Sequence, residues 1–273
     1  MSINIAQLDM PGVSPQGLQI IELVSNDDAD PRRIEQIIMQ DPTLASSLIR
    51  YANSPLFRRR TQITNVPNAL TLLGLKNVRS AVVMATLHSI SDYGSGINNA
   101  VWNHGQAVAL LCKSIATKVK PTIADDVEFI GLIHDLGALV LSSNLDEEYA
   151  ALYRRAVEDG QPLETLEHSS LGIDHDQVMC HFANHLRLPD TLKDILQHIH
   201  NRTKLSALET EADYMQAIVA MAHQLLKQYS LDHMSQCEAV TETLEELKAL
   251  LKLDDATIEK IVAKLPSGAF DAD

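Results

Sequence analysis

The chemistry in this sequence starts from an adjacent pair, His134-Asp135, set inside the apolar run FIGLIHDLGALVL at 129–141. Ionisable groups are rarely buried unless they are hydrogen-bonded, paired or bound to a metal, so the pair calls for partners. Four further histidines, His104, His175, His200 and His223, fall on or beside faces that the apolar pattern marks as buried, each in a separate segment. Helical proteins build metal sites from side chains projecting inward from facing helices, and a nitrogen and carboxylate donor set suits Zn, Fe or Mn. An ion with open coordination positions would activate water for attack on a phosphoester. Taken one at a time, His175 and His223 read as hydrogen-bonded core residues more readily than as ligands; the adjacent His-Asp pair is the stronger signal. His181 and His185 also have ligand spacing, at i and i+4, but they lie off the face of Phe182 and Leu186 and read as a polar surface pair.

The elements that must position these groups are helical. Leu, Ile, Ala, Glu and Lys dominate, aromatics make up 4%, and no series of alternating β-branched runs with Asn-Gly or Asp-Gly turns appears. The fold class is all-α. Asp30-Pro31 and Asp41-Pro42 each read as an N-cap followed by a first-turn proline, opening helices with Ile34, Ile37 and Ile38 and with Leu44, Leu48 and Ile49 on their inner faces. Asn53-Ser54-Pro55 is a turn, Arg58–Arg60 a solvated basic loop, and two helices flank the break at Gly74. Helix 99–120 carries His104 three residues after Val101 and four before Val108, on its apolar face. A helix begins at Asp125 and Asp126, and Gly131, Gly137 and Ala138 put small residues around the His-Asp pair where another helix can come close. Helices follow over about 146–159 and 162–171. The next is capped by Asp174 and carries His175 on its apolar face. Then come LPDTLKDILQHIHN, with His198 and His200 on its margins, 211–229 with His223 along its edge, and two C-terminal helices ending in an acidic tail. The organisation reads as an N-terminal helical subdomain over 1–95, a helical bundle over 96–230 and C-terminal helices and tail over 231–273, with the first boundary in the glycine-containing stretch 92–99.

Bulk properties exclude several roles. At 273 residues and 45% hydrophobic content the chain can bury a large core. A formal charge of −14 opposes broad attraction to nucleic-acid phosphates. A helix, a glycine turn and a helix around 66–87 have the outline of a helix-turn-helix, but the second helix is too apolar to expose a base-reading face. No apolar run reaches the roughly 18 residues that a membrane span needs, and no secretory leader is evident. Cys112, Cys180 and Cys237 are odd in number and far apart, as thiols in a reducing cytoplasm are.

Several motifs together carry a family likeness. Asp41-Pro42, the run Leu48-Ile49-Arg50-Tyr51-Ala52-Asn53-Ser54, Ala69-Leu70 through Leu73-Gly74, Trp102 with His104, the segment Gly131 to Gly137, Gly172 to His175, and Leu188-Pro189 to His200 resemble the HDOD family, the HD-related output domains of bacterial signalling proteins, over about residues 15–228. The resemblance implies an HD-like multi-helix bundle acting as a cytoplasmic signal-transduction module that contacts other signalling proteins. It also implies a retained or residual divalent metal site at His104, His134 and Asp135, with His223 where the wider superfamily has aspartate, and no organic cofactor. The alternative that it implies is a metal-dependent phosphohydrolase acting on a nucleotide or other phosphoester, with Asp135 as catalytic residue and His175 and His200 forming a second site. Ala138 stands where active members commonly have a lysine, and no Gly-Tyr-Pro signature is present, so cyclic-dinucleotide cleavage is not implied.

Overall fold

Two aspartates start the first helical pair. Asp30 Oδ1 accepts from the Arg32 amide at 3.0 Å, and Asp41 Oδ1 accepts from the amides of Thr43 and Leu44 at 2.9 and 3.2 Å. The proline that follows each one lacks a donor that would have been orphaned anyway. These caps begin α2 (Pro31–Met39) and α3 (Pro42–Ala52), preceded by α1 (Pro15–Ser25). The computed structural model describes residues 2–25, 29–54, 57, 61–87, 96–200, 204–230, 234, 241–263 and 265. Among them all regular structure is helical, as the sequence predicts.

Asn53 closes α3 and also latches the chain beyond it. Its side-chain amide donates to the carbonyls of Ile49 and Ile63, both at 2.8 Å, and its oxygen accepts from the Ile63 amide at 2.9 Å. The expected basic loop Arg58–Arg60 lies outside the described residues, as does the first half, 92–95, of the expected boundary at 92–99. Then α4 (Val66–Leu73) and α5 (Leu75–Leu87) meet at 119° across Gly74, whose φ of +74° suits glycine. From Asn77 to Leu87 every residue of α5 is buried, under α1, α3 and α7. No face of it is left to read DNA.

The remaining helices include those that carry the histidines. They are α6 (Ile97–Val119), α7 (Ala124–Ile133), α8 (Leu136–Leu145), α9 (Glu147–Asp159), α10 (Leu163–Leu171), α11 (His175–His185), α12 (Asp190–Gln197), α13 (Glu211–Tyr229), α14 (Leu244–Leu251) and α15 (Asp255–Val262). Two crossings depend on glycine because backbones nearly touch. A Cβ on Gly105 of α6 would stand 2.6 Å from the Leu132 carbonyl oxygen of α7, and one on Gly137 of α8 would stand 2.0 Å from the His175 carbonyl oxygen of α11. The small residues around the His-Asp pair therefore serve close helix approach.

Two expectations are corrected. The apolar run 129–141 is not one helix, because α7 stops at Ile133 and α8 starts at Leu136, which leaves His134-Asp135 in the turn between them. And α12 ends at Gln197, so the expected helix LPDTLKDILQHIHN does not reach His200: His198 is exposed and His200 lies past the helix end, buried. No single described helix is long and apolar enough to cross a membrane. Cys112 is a buried free thiol, its pKa pushed up by burial and then by the charge of Glu128; Cys180 is half-buried and Cys237 lies outside the described residues.

Candidate metal centre

A carboxylate surrounded by imidazoles forms the polar heart of the bundle. His104 comes from the middle of α6, His134 and Asp135 from the turn between α7 and α8, His175 from the first turn of α11, His200 from the segment after α12, and His223 from α13. The break between α7 and α8 is what turns both members of the adjacent pair inward, since a continuous helix would separate neighbouring side chains by about 100°. None of the six is more than 5% exposed. Asp135 Oδ1 lies 3.2 Å from His134 Nε2, 3.6 Å from His175 Nε2 and 3.7 Å from His200 Nε2, while Oδ2 lies 3.6 Å from His104 Nε2. His223 Nε2 is 3.1 Å from His134 Nε2, and the rings of His200 and His223 are stacked with centroids 5.6 Å apart.

The outer ring nitrogens decide what the inner ones are. His134 Nδ1 is 2.9 Å from the Gly131 carbonyl oxygen, which only accepts, so Nδ1 carries the proton and Nε2 presents a lone pair inward. His175 Nδ1 donates to Glu167 at 2.6 Å and its backbone amide donates to the same oxygen at 3.0 Å. His200 Nδ1 donates to Asp176 Oδ1 at 2.8 Å. The Tyr149 hydroxyl donates to the other oxygen of Glu167. A carboxylate or carbonyl behind each of these three imidazoles, fixing its tautomer and orientation, is the arrangement that surrounds metal-bound histidines.

Four of the inner atoms are left without hydrogen bonds. Both oxygens of Asp135 and the Nε2 atoms of His175 and His200 are buried and make none. In neutral imidazoles these nitrogens would point lone pairs at a carboxylate, an arrangement that only positive charge relieves. The ion pairs of Asp135, Glu167 and Asp176 among the described residues are all to histidines. The titration behaviour carries the same demand. Burial works to lower His200, yet Asp176 and Asp135 carry it up to about 10; His175 goes well above its ordinary value because Glu167 outweighs burial in the same way. His134 falls to about 4 and His223 falls well below the ordinary histidine value, burial being the main cause in both. Burial would raise Asp135, but the imidazoles around it, His134 foremost, hold it below the usual carboxylate range. Divalent cations are the charge this donor set fits. Three groupings have donor atoms close enough to share an ion: His104 with His134 and His223; His134 with Asp135 and His200; and His175 with Asp176 and His200.

The structure therefore brings together every site residue singled out from the sequence. His181 and His185 sit at the surface with rings 4.9 Å apart, as a polar pair should. Sequence reasoning missed Glu167, Asp176 and Tyr149. Glu167 had a legible signal, since it lies four residues after Leu163 on the apolar face of α10 and is fully buried. Asp176, next to His175, had none beyond its position.

Comparison with known proteins bears on the fold and the family. The family model of the HDOD domain matches residues 10–202. An HDOD domain protein of unknown function from Geobacter sulfurreducens superposes with a TM-score of 0.68 at 20% identity, over 97% of this chain and 86% of that one. A Shewanella amazonensis SB2B protein provisionally named a phosphohydrolase gives 0.70 at 20% identity, over 95% and 91%. A Marinobacter aquaeolei VT8 protein provisionally named for signal transduction gives 0.75 at 18% identity, over 93% of this chain and 56% of that one. At these identities the likeness concerns the fold. An uncharacterized Treponema pallidum (strain Nichols) protein is 24% identical over 197 residues, 71% of this chain, which spans 38% of that relative's length. With the family model covering most of its length, this chain belongs to the HDOD family.

Proposed function

We propose that the chain is a signal-transduction module whose buried centre holds divalent transition metal, Fe, Mn or Zn, as a regulatory and structural element. His104, His134, Asp135 and His223 form one half of the centre, and His175 and His200, sharing Asp135, form the other. The observation that carries this reading is a combination. Four inner donor atoms, the two oxygens of Asp135 and the Nε2 atoms of His175 and His200, lack hydrogen bonds, which asks for an ion, while all six residues are 5% exposed or less, which offers a phosphoester no approach. Ala138, where a phosphate-facing lysine would stand, is fully buried in helix packing. On this reading residues 1–95, 96–230 and 231–273 are three structural parts, the partners are other signalling proteins, and the setting is a reducing cytoplasm, consistent with the free thiols Cys112 and Cys180.

A metal-dependent phosphohydrolase is the second reading, favoured by the donor chemistry itself. A bound cation there supplies Lewis acidity and activates water. In that case Asp135 holds the centre together and Glu167 and Asp176 keep His175 and His200 in the donor-bearing tautomer.

Metal analysis of the purified protein together with a phosphoester assay in added Mn separates the readings. Stoichiometric metal that is lost in His134→Ala, without turnover, is the expected result. Metal-dependent turnover abolished by Asp135→Ala would replace it with the hydrolase, and absence of metal under all loading conditions would remove both.

A further inference from the structure

A second chemically furnished space lies away from the histidines. It is a cavity of about 400 Å³, within the roughly 300–1,000 Å³ usual for small-molecule sites. Its walls come from α1, α5, α7, α12 and α13, and Val24, Leu192, Ile195 and Met215 make the apolar part. Two cations, Lys76 and Arg79, line the same space. That is notable in a chain of net charge −14.

Arg79 is only 5% exposed and its guanidinium lies over the Phe129 ring, 4.2 Å from the centroid. Nη2 donates to Asp126 Oδ1 at 2.7 Å and to the Asp125 carbonyl oxygen at 3.0 Å, while Nε is buried with no hydrogen bond. Lys76 reaches the other Asp126 oxygen at 3.4 Å. Two cations thus share one carboxylate inside the cavity. Glu211, at the rim, is largely exposed and lies 4.0 Å from Lys120. The first turns of three helices also open here, α7 at Asp126, α12 at Thr191 and α13 at Glu211 and Ala212. Their amino-terminal ends add partial positive charge and amide donors.

We propose that this cavity binds a small anionic ligand, with a carboxylate or phosphate head between Lys76, Arg79 and the first turn of α12, and a compact apolar body against Leu192, Ile195 and Met215. The site is separate from the metal centre. Asp126 and His134 stand at opposite ends of α7, about 12 Å apart along a helix rising 1.5 Å per residue. The proposal does not depend on the metal reading, although α7, α12 and α13 lead from this cavity to His134, His200 and His223.

Isothermal titration calorimetry with benzoate and phenylphosphonate, which share a body and differ in head group, tests it on the full chain. At least one of the two binds, and the stronger binder identifies the head. Lys76→Gln, at a half-exposed position, and Ala212→Trp, which fills the cavity from a half-buried position, each weaken binding about tenfold or more, as expected for a lost charge-assisted contact or a filled pocket. Binding persists after dialysis against a chelator. The proposal is overturned if neither probe binds, if either variant that folds by circular dichroism keeps wild-type affinity, or if chelation abolishes binding, which would place the probes on the metal centre.

Discussion

Replacing Gly137 by alanine tests how tightly the fold and the metal centre are bound together. The new Cβ would stand 2.0 Å from the His175 carbonyl oxygen and 2.8 Å from the Met179 amide nitrogen, both backbone atoms. Ordinary contact begins at 3.4 Å, so α8 and α11 must separate by up to 1.4 Å, and no side-chain rotation offers relief. Overpacking of this kind costs about 3 kcal/mol, the upper end of the usual range. Alanine's better helix propensity returns roughly 0.5–1 kcal/mol. The net loss of about 2 kcal/mol corresponds to a fall in Tm of roughly 4–8 °C for a chain of this size. The displaced atom belongs to His175, whose Nε2 faces Asp135 at 3.6 Å, so metal affinity should fall along with stability. Thermal melts and metal titration of Gly137→Ala would be set beside Gly12→Ala, where a Cβ meets nothing within 4 Å. A Gly137→Ala protein as stable as the control would refute the close-approach argument.

Three further outcomes are expected. Glu167→Gln keeps the size of the side chain but weakens the grip on His175 and Tyr149, and equilibrium dialysis should record a drop in metal affinity of about 10–100-fold, the usual effect of losing a carboxylate behind a metal-bound histidine. Glu128 is fully buried, and burial carries its pKa from 4.5 to about 7 against the pull of Lys113. The unfolded chain gives up this proton first, so the stability from the protonated group is complete below about pH 4.5 and is lost as pH rises through about 7. Urea midpoints of Glu128→Gln should therefore vary less than wild type across that window and exceed it on the alkaline side; equal slopes in the two proteins would contradict the assignment. Asn53→Ala removes three hydrogen bonds, one to Ile49 within α3 and two to Ile63, and because the residue is exposed the cost should be about 1 kcal/mol, read as a small shift of the denaturation midpoint with an unchanged slope.

What the sequence determines here is mainly local. The caps at Asp30 and Asp41, the extent of α13 and the inward face of His104 follow from hydrogen bonds and periodicities that span three or four residues, and the structure matches them. The family likeness was also legible, because it rests on short motifs. Local pattern did not foresee that the helix would break at His134-Asp135 or that α12 would stop short of His200. In both places tertiary packing, by turning a polar side chain toward shared partners, outweighs the apolar period that would continue the helix.

The centre itself was only half written in the chain. Residue types marked the six candidates, and their burial could be anticipated one helix at a time. That they converge could not, since His104 and His223 are separated by most of the bundle in sequence and meet only where α13 packs on α6, while Gly105, Gly131 and Gly137 let α6, α7, α8 and α11 approach closely. The roles of Glu167 and Asp176 are decided at the same level. A carboxylate fixes an imidazole's tautomer through a contact under 3 Å, and no spacing along the sequence specifies which carboxylate will stand behind which ring. The unpartnered oxygens of Asp135, the feature that asks for a cation, exist only once five separate elements have closed around them.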